Sequence, residues 1–165
     1  MSLELIPLTA GLTNALAQGD RSFYGEAGVD ERLARTVADM AGMQAALYRK
    51  TAAIEPWIGY LARDAAQQAI VGGCSFVGRQ GGQVEIAYFT FPGLEGRGYA
   101  SRMAESLVEI AWDDPKLERV IAHTLPQENA STRILQRLGF TRAGEAVDPD
   151  EGAVWLWSLG RPARS

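Results

Sequence analysis

The sequence VEIAYFTFPGLEGRGYASRMAESLVEIAW, residues 84–112, decides the fold of this chain. Residues 84–91 form an apolar run rich in β-branched and aromatic side chains, which predicts a strand covered on both faces. A turn is predicted at residues 92–93 and a glycine corner at residues 96–98. After the corner, apolar residues recur at helical spacing and charged residues take the opposite face. The stretch therefore predicts a strand, a glycine corner and a long amphipathic helix in direct succession.

The glycine corner is a candidate anion site. Glycine lets backbone N–H groups come close to a phosphate, and the first unpaired N–H groups of a helix carry a partial positive charge. A short Gly-x-Gly sequence is weak evidence by itself, because many such corners are only tight turns. Residues 96–98 are therefore interpreted either as a phosphate-binding loop or as a structural turn.

The composition indicates a globular protein. A length of 165 residues predicts one domain, residues 1–165, with room for a hydrophobic core. Hydrophobic residues make up 47% of the chain and charged residues 22%, as in folded soluble proteins. The formal net charge of −4 argues against nucleic acid or an anionic membrane as a partner. Without a bilayer-length apolar run or a signal-peptide pattern, a cytoplasmic protein is expected.

A single cysteine and a single histidine limit the chemistry of metals and thiols. Cys74 has no second cysteine to pair with, which excludes an internal disulfide. A zinc site would need mostly carboxylate ligands, so we expect no metal. Cys74 lies among apolar residues of a predicted strand, and we expect it in the core rather than in the role of a nucleophile.

The rest of the pattern predicts an α/β protein. Two helices are expected near the start, one capped by Thr9 and one opened by Asp30, and a further helix at residues 131–138. Besides residues 84–91, six segments have the composition of strands: residues 3–8, 57–63, 70–77, 119–125, 141–146 and 153–159. Helices followed by mixed strands and crossover helices predict an α/β sheet.

Five short blocks stand in a characteristic order in the second half of the chain. They are Val84-Glu85-Ile86-Ala87-Tyr88, Gly96-Arg97-Gly98-Tyr99-Ala100, Ala122-His123-Thr124-Leu125-Pro126, Asn129-Ala130-Ser131 and Leu138-Gly139-Phe140. Together they resemble the GNAT acetyltransferase superfamily, and within it the RimJ/RimL-like branch. The resemblance runs from about Trp57 to Trp157. It implies the GNAT fold, a mixed, mostly antiparallel seven-stranded sheet that is splayed at its centre and has helices on both faces.

The resemblance also implies an acetyl-CoA-dependent N-acetyltransferase whose acceptor is a primary amine, on a small molecule or at a protein N-terminus. The amine would attack acetyl-CoA directly, with no metal and no covalent enzyme intermediate. The pyrophosphate would lie on the N–H groups of the glycine corner, and the pantetheine arm along the end of the central strand. The coenzyme-binding residues implied, mostly through their main chain, are Phe89, Thr90, Phe91, Glu95, Gly96, Arg97, Gly98, Tyr99, Ala100, Asn129 and Ser131. The side chains of Phe89 and Phe91 are expected in the core.

Two positions depart from the family's pattern. Gly93 stands where a glutamine or arginine is frequent, which removes one side-chain contact to the phosphates. Arg102 stands in the first turn of the helix, where this branch commonly has an acid, and it either contacts phosphate or is a solvated surface charge. Because the backbone does most of the pyrophosphate binding, the coenzyme is still expected to bind.

Glu85 and His123 are the candidates for a general base, which helps because an amine attacks only when it is neutral. Strand alternation places Glu85 on the face of Ala87, Phe89 and Phe91, an apolar setting that would raise the pKa of the carboxylate and make it a better base. A structural salt bridge to an arginine is the alternative for Glu85. Imidazole titrates near neutrality, but a lone strand histidine is more often a hydrogen-bonded core residue.

Ser131 is the candidate donor to the departing CoA thiolate, as the resemblance implies. The alternative is that Ser131 caps the helix that follows, and one hydroxyl could do both. Asn129 is ambiguous in the same way, between capping that helix and binding the pantetheine arm.

The acceptor amine is not specified by the sequence. Relatives acetylate protein N-termini, polyamines, amino acids and antibiotics, and the fold does not choose among them. The residues that would choose lie in the predicted loop at 18–29 and near the acidic turn at 148–151. Two rival functions stay open: a non-catalytic acyl-CoA-binding module, and an interaction protein with Trp155 and Trp157 at a contact. Dimers are common in such families, which leaves a homodimer open.

Overall fold

The computed structural model of the protein describes residues 2–163. The strands are β1 (Leu3–Pro7), β2 (Gly59–Asp64), β3 (Ala69–Gln80), β4 (Gln83–Thr90), β5 (Arg119–Thr124), β6 (Thr141–Asp148) and β7 (Gly152–Gly160). The α-helices are α1 (Ala10–Ala17), α2 (Tyr24–Ala27), α3 (Ala34–Thr51), α4 (Tyr99–Trp112) and α5 (Ala130–Arg137). None of these helices is long and apolar enough to cross a membrane.

The strands form one sheet in the order β1-β2-β3-β4-β5-β7-β6. All neighbours run antiparallel except β4 and β5, which are parallel. This parallel pair is joined only from Gln83 with Arg119 to Glu85 with Ile121, and the two strands diverge beyond that point. The predicted mixed, mostly antiparallel sheet of seven strands with a splayed centre is confirmed.

Helices cover both faces of the sheet, as predicted. Consecutive strand residues point to opposite faces, and two adjacent glycines of β3 show what lies on each side. A Cβ atom added at Gly72 would lie 3.2 Å from Met103 of α4, whereas one added at Gly73 would lie 2.6 Å from Met40 of α3. Therefore α4 packs on one face and α3 on the other. Leu135 brings α5 into the core on the α4 side.

The helix starts follow the predicted caps, with one correction. Thr9 caps α1, and its Oγ1 accepts a hydrogen bond from the N–H of Leu12. The Asp30 carboxylate accepts from the N–H of Arg32 and caps a short 3-10 helix, Glu31–Leu33, which then leads into α3. Asp30 therefore begins the helical segment but does not cap α3 itself.

The predicted loop at residues 18–29 contains a short helix, α2. Tyr24 of this helix is buried in the core between the sheet and α3, at 3% exposure. The aromatic side chains of this segment, Phe23 and Tyr24, therefore pack on the core.

Cys74 and Trp157, for which a nucleophilic role and a protein contact were considered, both belong to the core. Cys74 is buried on β3, and burial raises the pKa of its thiol to about 12. Such a thiol is not a nucleophile at neutral pH. Trp157 is also buried, and its Nε1 donates to Thr124 Oγ1 at 2.9 Å. Trp157 therefore does not offer its side chain to a protein partner.

Candidate active site

The divergence of β4 from β5 exposes one edge of β4. On the side of β3 the ladder continues, and Phe89 and Thr90 still pair with Gly73 and Gly72. On the side of β5 the ladder stops after Glu85. An unpaired strand edge presents backbone N–H and C=O groups that can hydrogen-bond peptide-like amides.

Six successive backbone N–H groups mark the start of α4. Within residues 2–163, the N–H groups of residues 96–101 have no protein acceptor, and the next one, from Arg102, donates to the Gly98 carbonyl at 3.2 Å. Gly96 and Gly98 have φ angles of +79° and +86°, which favour glycine. No side chain caps this helix. Unpaired donors at a helix N-terminus attract anions, so the loop has the properties expected of a phosphate site.

Tyr99 ties this loop to the sheet. Its hydroxyl donates to Asp64 Oδ2 at 2.7 Å, and both residues are buried. Asp64 Oδ1 accepts from the N–H groups of Ala66 and Gln67. These hydrogen bonds hold the pKa of Asp64 below its ordinary value. The bond from Tyr99 contributes most, and the two N–H bonds contribute less. Tyr99 can therefore offer only its N–H to a phosphate, because its side chain is an anchor.

Glu95 and Arg102, which flank the loop, each have a partner of their own. Glu95 Oε2 accepts a hydrogen bond from the N–H of Gly93 at 2.8 Å and closes the turn that precedes the loop. Arg102 lies 3.6 Å from Glu105 on the surface of α4. Arg97 is exposed at the centre of the loop.

Glu85 and His123, predicted as separate candidates, lie side by side. His123 Nδ1 is 3.0 Å from Glu85 Oε2. Glu85 pairs with Ile121, so His123, two residues further along β5, lies on the same face of the sheet. The partner of Glu85 is thus a histidine and not the arginine of the structural alternative.

The expected apolar setting of Glu85 is not found. The Glu85 side chain is 28% exposed, and Ala87 and Phe89 on the same face are exposed as well. The expectation was wrong because no helix covers this face where β4 leaves β5. Phe91 is fully buried as predicted, whereas Phe89 is 46% exposed and is not a core residue.

Asn129, and not Ser131, caps α5. Asn129 Oδ1 accepts from the N–H of Thr132 at 3.0 Å, and Thr132 Oγ1 accepts from the N–H of Asn129 at 2.9 Å. This reciprocal pair is a capping box. Capping therefore falls to Asn129, and Ser131 lies within the first turn of α5, so the capping alternative for Ser131 does not hold.

Tyr88 is a site residue that the sequence did not single out. Its hydroxyl lies 3.0 Å from Ser131 Oγ, which joins β4 to the first turn of α5. Burial raises the pKa of Tyr88, so the hydroxyl keeps its proton at neutral pH. Strand alternation separates Tyr88 from the face of Glu85, but no local pattern shows that α5 approaches β4.

Asp148 closes the acidic turn at residues 148–151, because its Oδ1 accepts hydrogen bonds from the N–H groups of Asp150 and Glu151. These two bonds hold the pKa of Asp148 below its ordinary value. In the described part of the chain, no three His, Cys, Asp or Glu residues are grouped to hold a metal ion.

Known proteins share this fold and parts of this sequence. The solved structure of RimL, a ribosomal L7/L12 alpha-N-protein acetyltransferase in complex with coenzyme A, is similar with a TM-score of 0.66 and 17% identity. The similarity covers 97% of this chain and 94% of that chain. At this identity it shows the fold alone.

Two curated relatives match shorter segments. An uncharacterized N-acetyltransferase, YnaD of Bacillus subtilis, is 32% identical over 60 residues, or 36% of this chain and 35% of YnaD. Aminoglycoside N(6')-acetyltransferase type 1 of Klebsiella pneumoniae is 28% identical over 61 residues, or 37% of this chain and 30% of that enzyme. The chain thus spans about a third of the length of these relatives.

The family model described as "Acetyltransferase (GNAT) domain" matches residues 3–141. The match covers most of the chain, from β1 to the start of β6, and includes the loop at residues 96–101 and the diverging strands. On this evidence, together with its seven-stranded splayed sheet, the chain belongs to the GNAT acetyltransferase family.

Proposed function

We propose that this protein is an N-acetyltransferase that uses acetyl-CoA and a primary amine. The observation that carries the proposal is one juxtaposition. The loop with the N–H groups of residues 96–101 follows the end of β4 that diverges from β5, and these two strands carry the Glu85–His123 pair. The loop supplies an anion site, and His123 of the pair supplies a proton acceptor on the sheet.

The described residues fit the coenzyme. The free N–H groups of residues 96–101 match the oxygens of a pyrophosphate. The unpaired edge of β4 after Glu85 matches the amides of a pantetheine arm, and an N–H of residues 89–90 would donate to the thioester oxygen, because the N–H of Phe91 already donates to the Val71 carbonyl. When bound, acetyl-CoA supplies the acetyl group as a thioester.

The Glu85–His123 pair is suited to remove a proton from the amine. We assign a proton to His123 Nδ1, which donates to Glu85 Oε2 across 3.0 Å. This tautomer leaves Nε2 as the acceptor for the proton of the amine. The carboxylate of Glu85 fixes the ring and stabilises the imidazolium that forms, as an acid does for histidine in a catalytic triad. A base of this kind contributes about 10²–10⁴-fold to a rate.

The Glu85 carboxylate favours a cationic acceptor. It lies in the pair and is partly exposed, so it attracts a protonated amine that approaches. RimL acts on a ribosomal protein N-terminus and the Klebsiella relative on aminoglycosides, as their names state. Both acceptor classes present amines, and both belong in a first screen.

The test is amine-dependent release of CoA thiol from acetyl-CoA, followed with a chromogenic thiol reagent. The panel contains N-terminal peptides, polyamines, amino acids and aminoglycosides, and mass spectrometry identifies the acetylated product. The buried Cys74 thiol does not compete for the reagent in the folded protein. Release that depends on an amine and yields its acetylated form supports the proposal.

The rival function is a non-catalytic acyl-CoA-binding module. It predicts binding of the coenzyme with no amine-dependent release of thiol, and the same binding in wild type and in Glu85→Gln. That combination across the whole panel would replace the proposal with the rival.

A further inference from the structure

Tyr88 and Ser131 connect two elements that the splay of the sheet would otherwise leave apart. Tyr88 lies on β4 beyond the last position paired with β5, and Ser131 lies in the first turn of α5. Their oxygens are 3.0 Å apart. Tyr88 packs against the same core as Val84 and Ile86, so its ring is held and its hydroxyl has a defined position.

The direction of this hydrogen bond follows from acidity and burial. A phenol is a better donor than an aliphatic alcohol because its O–H is more acidic. Burial raises the pKa of Tyr88 further above neutrality, so the phenol keeps its proton. Either hydroxyl can donate across this distance, and the greater acidity of the phenol favours donation from Tyr88 to Ser131 Oγ. The hydroxyl hydrogen of Ser131 then points away from Tyr88 and is available to another acceptor.

We infer that Tyr88 is a positioning residue that makes Ser131 a hydrogen-bond donor to the sulfur of the coenzyme. The inference rests on the proposed function and on the donor role that the family resemblance implies for Ser131, and it adds Tyr88 as a further residue. When the C–S bond of the thioester breaks, the electron pair goes to sulfur, and the Ser131 O–H stabilises the thiolate without giving up its proton. The donation from Tyr88 polarises Ser131 and strengthens this second bond.

A purely structural bond between Tyr88 and Ser131 has different consequences. It would stabilise the packing of α5 on β4, and its loss would not change the acidity of a bound thiol. If Tyr88 acts through Ser131, the effects of removing the two hydroxyls are not additive, because either change removes the same oriented donor.

The experiment measures the pKa of the CoA thiol bound to the protein, from the ultraviolet absorbance of the thiolate. Wild type, Tyr88→Phe, Ser131→Ala and the double variant are compared, and coenzyme binding is measured separately by calorimetry. Tyr60→Phe is the matched control, since it removes another buried tyrosine hydroxyl, bonded to the Pro56 carbonyl at 2.7 Å.

We expect wild type and Tyr60→Phe to lower the thiol pKa below that of free CoA. Tyr88→Phe and Ser131→Ala each return it toward the free value, by about one unit, and the double variant goes no further than Ser131→Ala. In turnover, Tyr88→Phe lowers kcat by roughly tenfold, with little change in the KM for acetyl-CoA.

A wild-type thiol pKa in Tyr88→Phe, or a shift in the double variant equal to the sum of the single shifts, would overturn the inference and leave the proposed function standing. A wild-type protein that binds no coenzyme would overturn both. The calorimetric arm distinguishes these two outcomes.

Discussion

Glu85 Oε2 lies 3.0 Å from His123 Nδ1, where the pairing of the two parallel strands of the sheet ends at Glu85 and Ile121. The two residues are 38 positions apart in the sequence, and the parallel register of β4 and β5 brings them to one face. Both side chains keep more than a quarter of their surface exposed. The pair is therefore fixed by its own contact and still open to an approaching amine.

Replacing the members of this pair tests their roles. His123→Ala removes the proposed proton acceptor and should lower kcat by about 10²–10⁴-fold. Glu85→Gln keeps an acceptor for Nδ1 but removes the charge that stabilises the imidazolium, so its loss should be smaller. Since the two act as a unit, the double variant should be little worse than His123→Ala.

The matched control for Glu85→Gln is Glu4→Gln. Glu4 is also a carboxylate in an ion pair, with Arg63 at 3.2 Å, but it lies on β1 at the sheet edge. Steady-state kinetics should show wild-type kcat for this control. Wild-type kcat in His123→Ala would contradict the assignment of the base.

The bond from Tyr99 to Asp64 makes stability depend on pH. The pKa of Asp64 lies below its ordinary value of 3.8 in the folded state, so the ionised carboxylate stabilises the fold above that value. This contribution fades as the pH falls below 3.8 through the folded pKa. Asp64→Asn should therefore be less stable than wild type at pH 7, and the difference should shrink in acid. Denaturant titrations at several pH values measure it, and a pH-independent difference would contradict this account.

The capping box at the start of α5 predicts a stability difference that depends on the side chain at position 129. Asn129→Ala should cost about 1 kcal/mol, because the Thr132 N–H loses its acceptor. Asn129→Ser should retain most of the stability, since serine is also a good cap. Equal unfolding midpoints for the alanine and serine variants in urea would show that the cap does not contribute.

Cys74 should be inert in the folded protein. Burial raises the pKa of its thiol to about 12, so almost none is thiolate at pH 8, and the side chain is 5% exposed. A chromogenic disulfide reagent should titrate no thiol in native protein and one thiol per chain in denaturant. Fast labelling of the native protein would contradict the burial of this residue.

Much of the fold follows from local pattern and from family resemblance. Residues 84–112 contain a strand, a turn and a helix whose apolar periods are unambiguous, and the structure has β4 and α4 there. The splay came from the resemblance, and the strand order was not predicted, because pairing between β5 and β7 is a long-range property that local periodicity does not contain.

The site was less predictable because its contacts join distant residues. Glu85 and His123 were candidates separately, but their contact depends on the register of two parallel strands. Tyr88 was missed because the splay brings α5, and not β5, to its hydroxyl. The cap of α5 was uncertain because both Asn129 and Ser131 are good caps in sequence. Two observations decide between them: α5 begins at Ala130, directly after Asn129, and Thr132 Oγ1 accepts a hydrogen bond from the N–H of Asn129.

The central claim is that the loop at residues 96–101 binds the pyrophosphate of coenzyme A. A thermal-shift titration with acetyl-CoA, CoA and ATP tests it on wild type, Gly96→Glu and Gly81→Glu. Both glycines have positive φ, +79° and +60°, and open space around an added Cβ, so the two variants share strain and charge. Only Gly96 lies in the loop.

A ligand that binds only the folded state adds about 2.7 kcal/mol at a hundred times its Kd, which is a readily visible shift in Tm. We predict that acetyl-CoA and CoA, but not ATP, raise the Tm of wild type and of Gly81→Glu, and that neither raises the Tm of Gly96→Glu. No shift in wild type, or an equal shift in Gly96→Glu, would contradict the assignment of this loop.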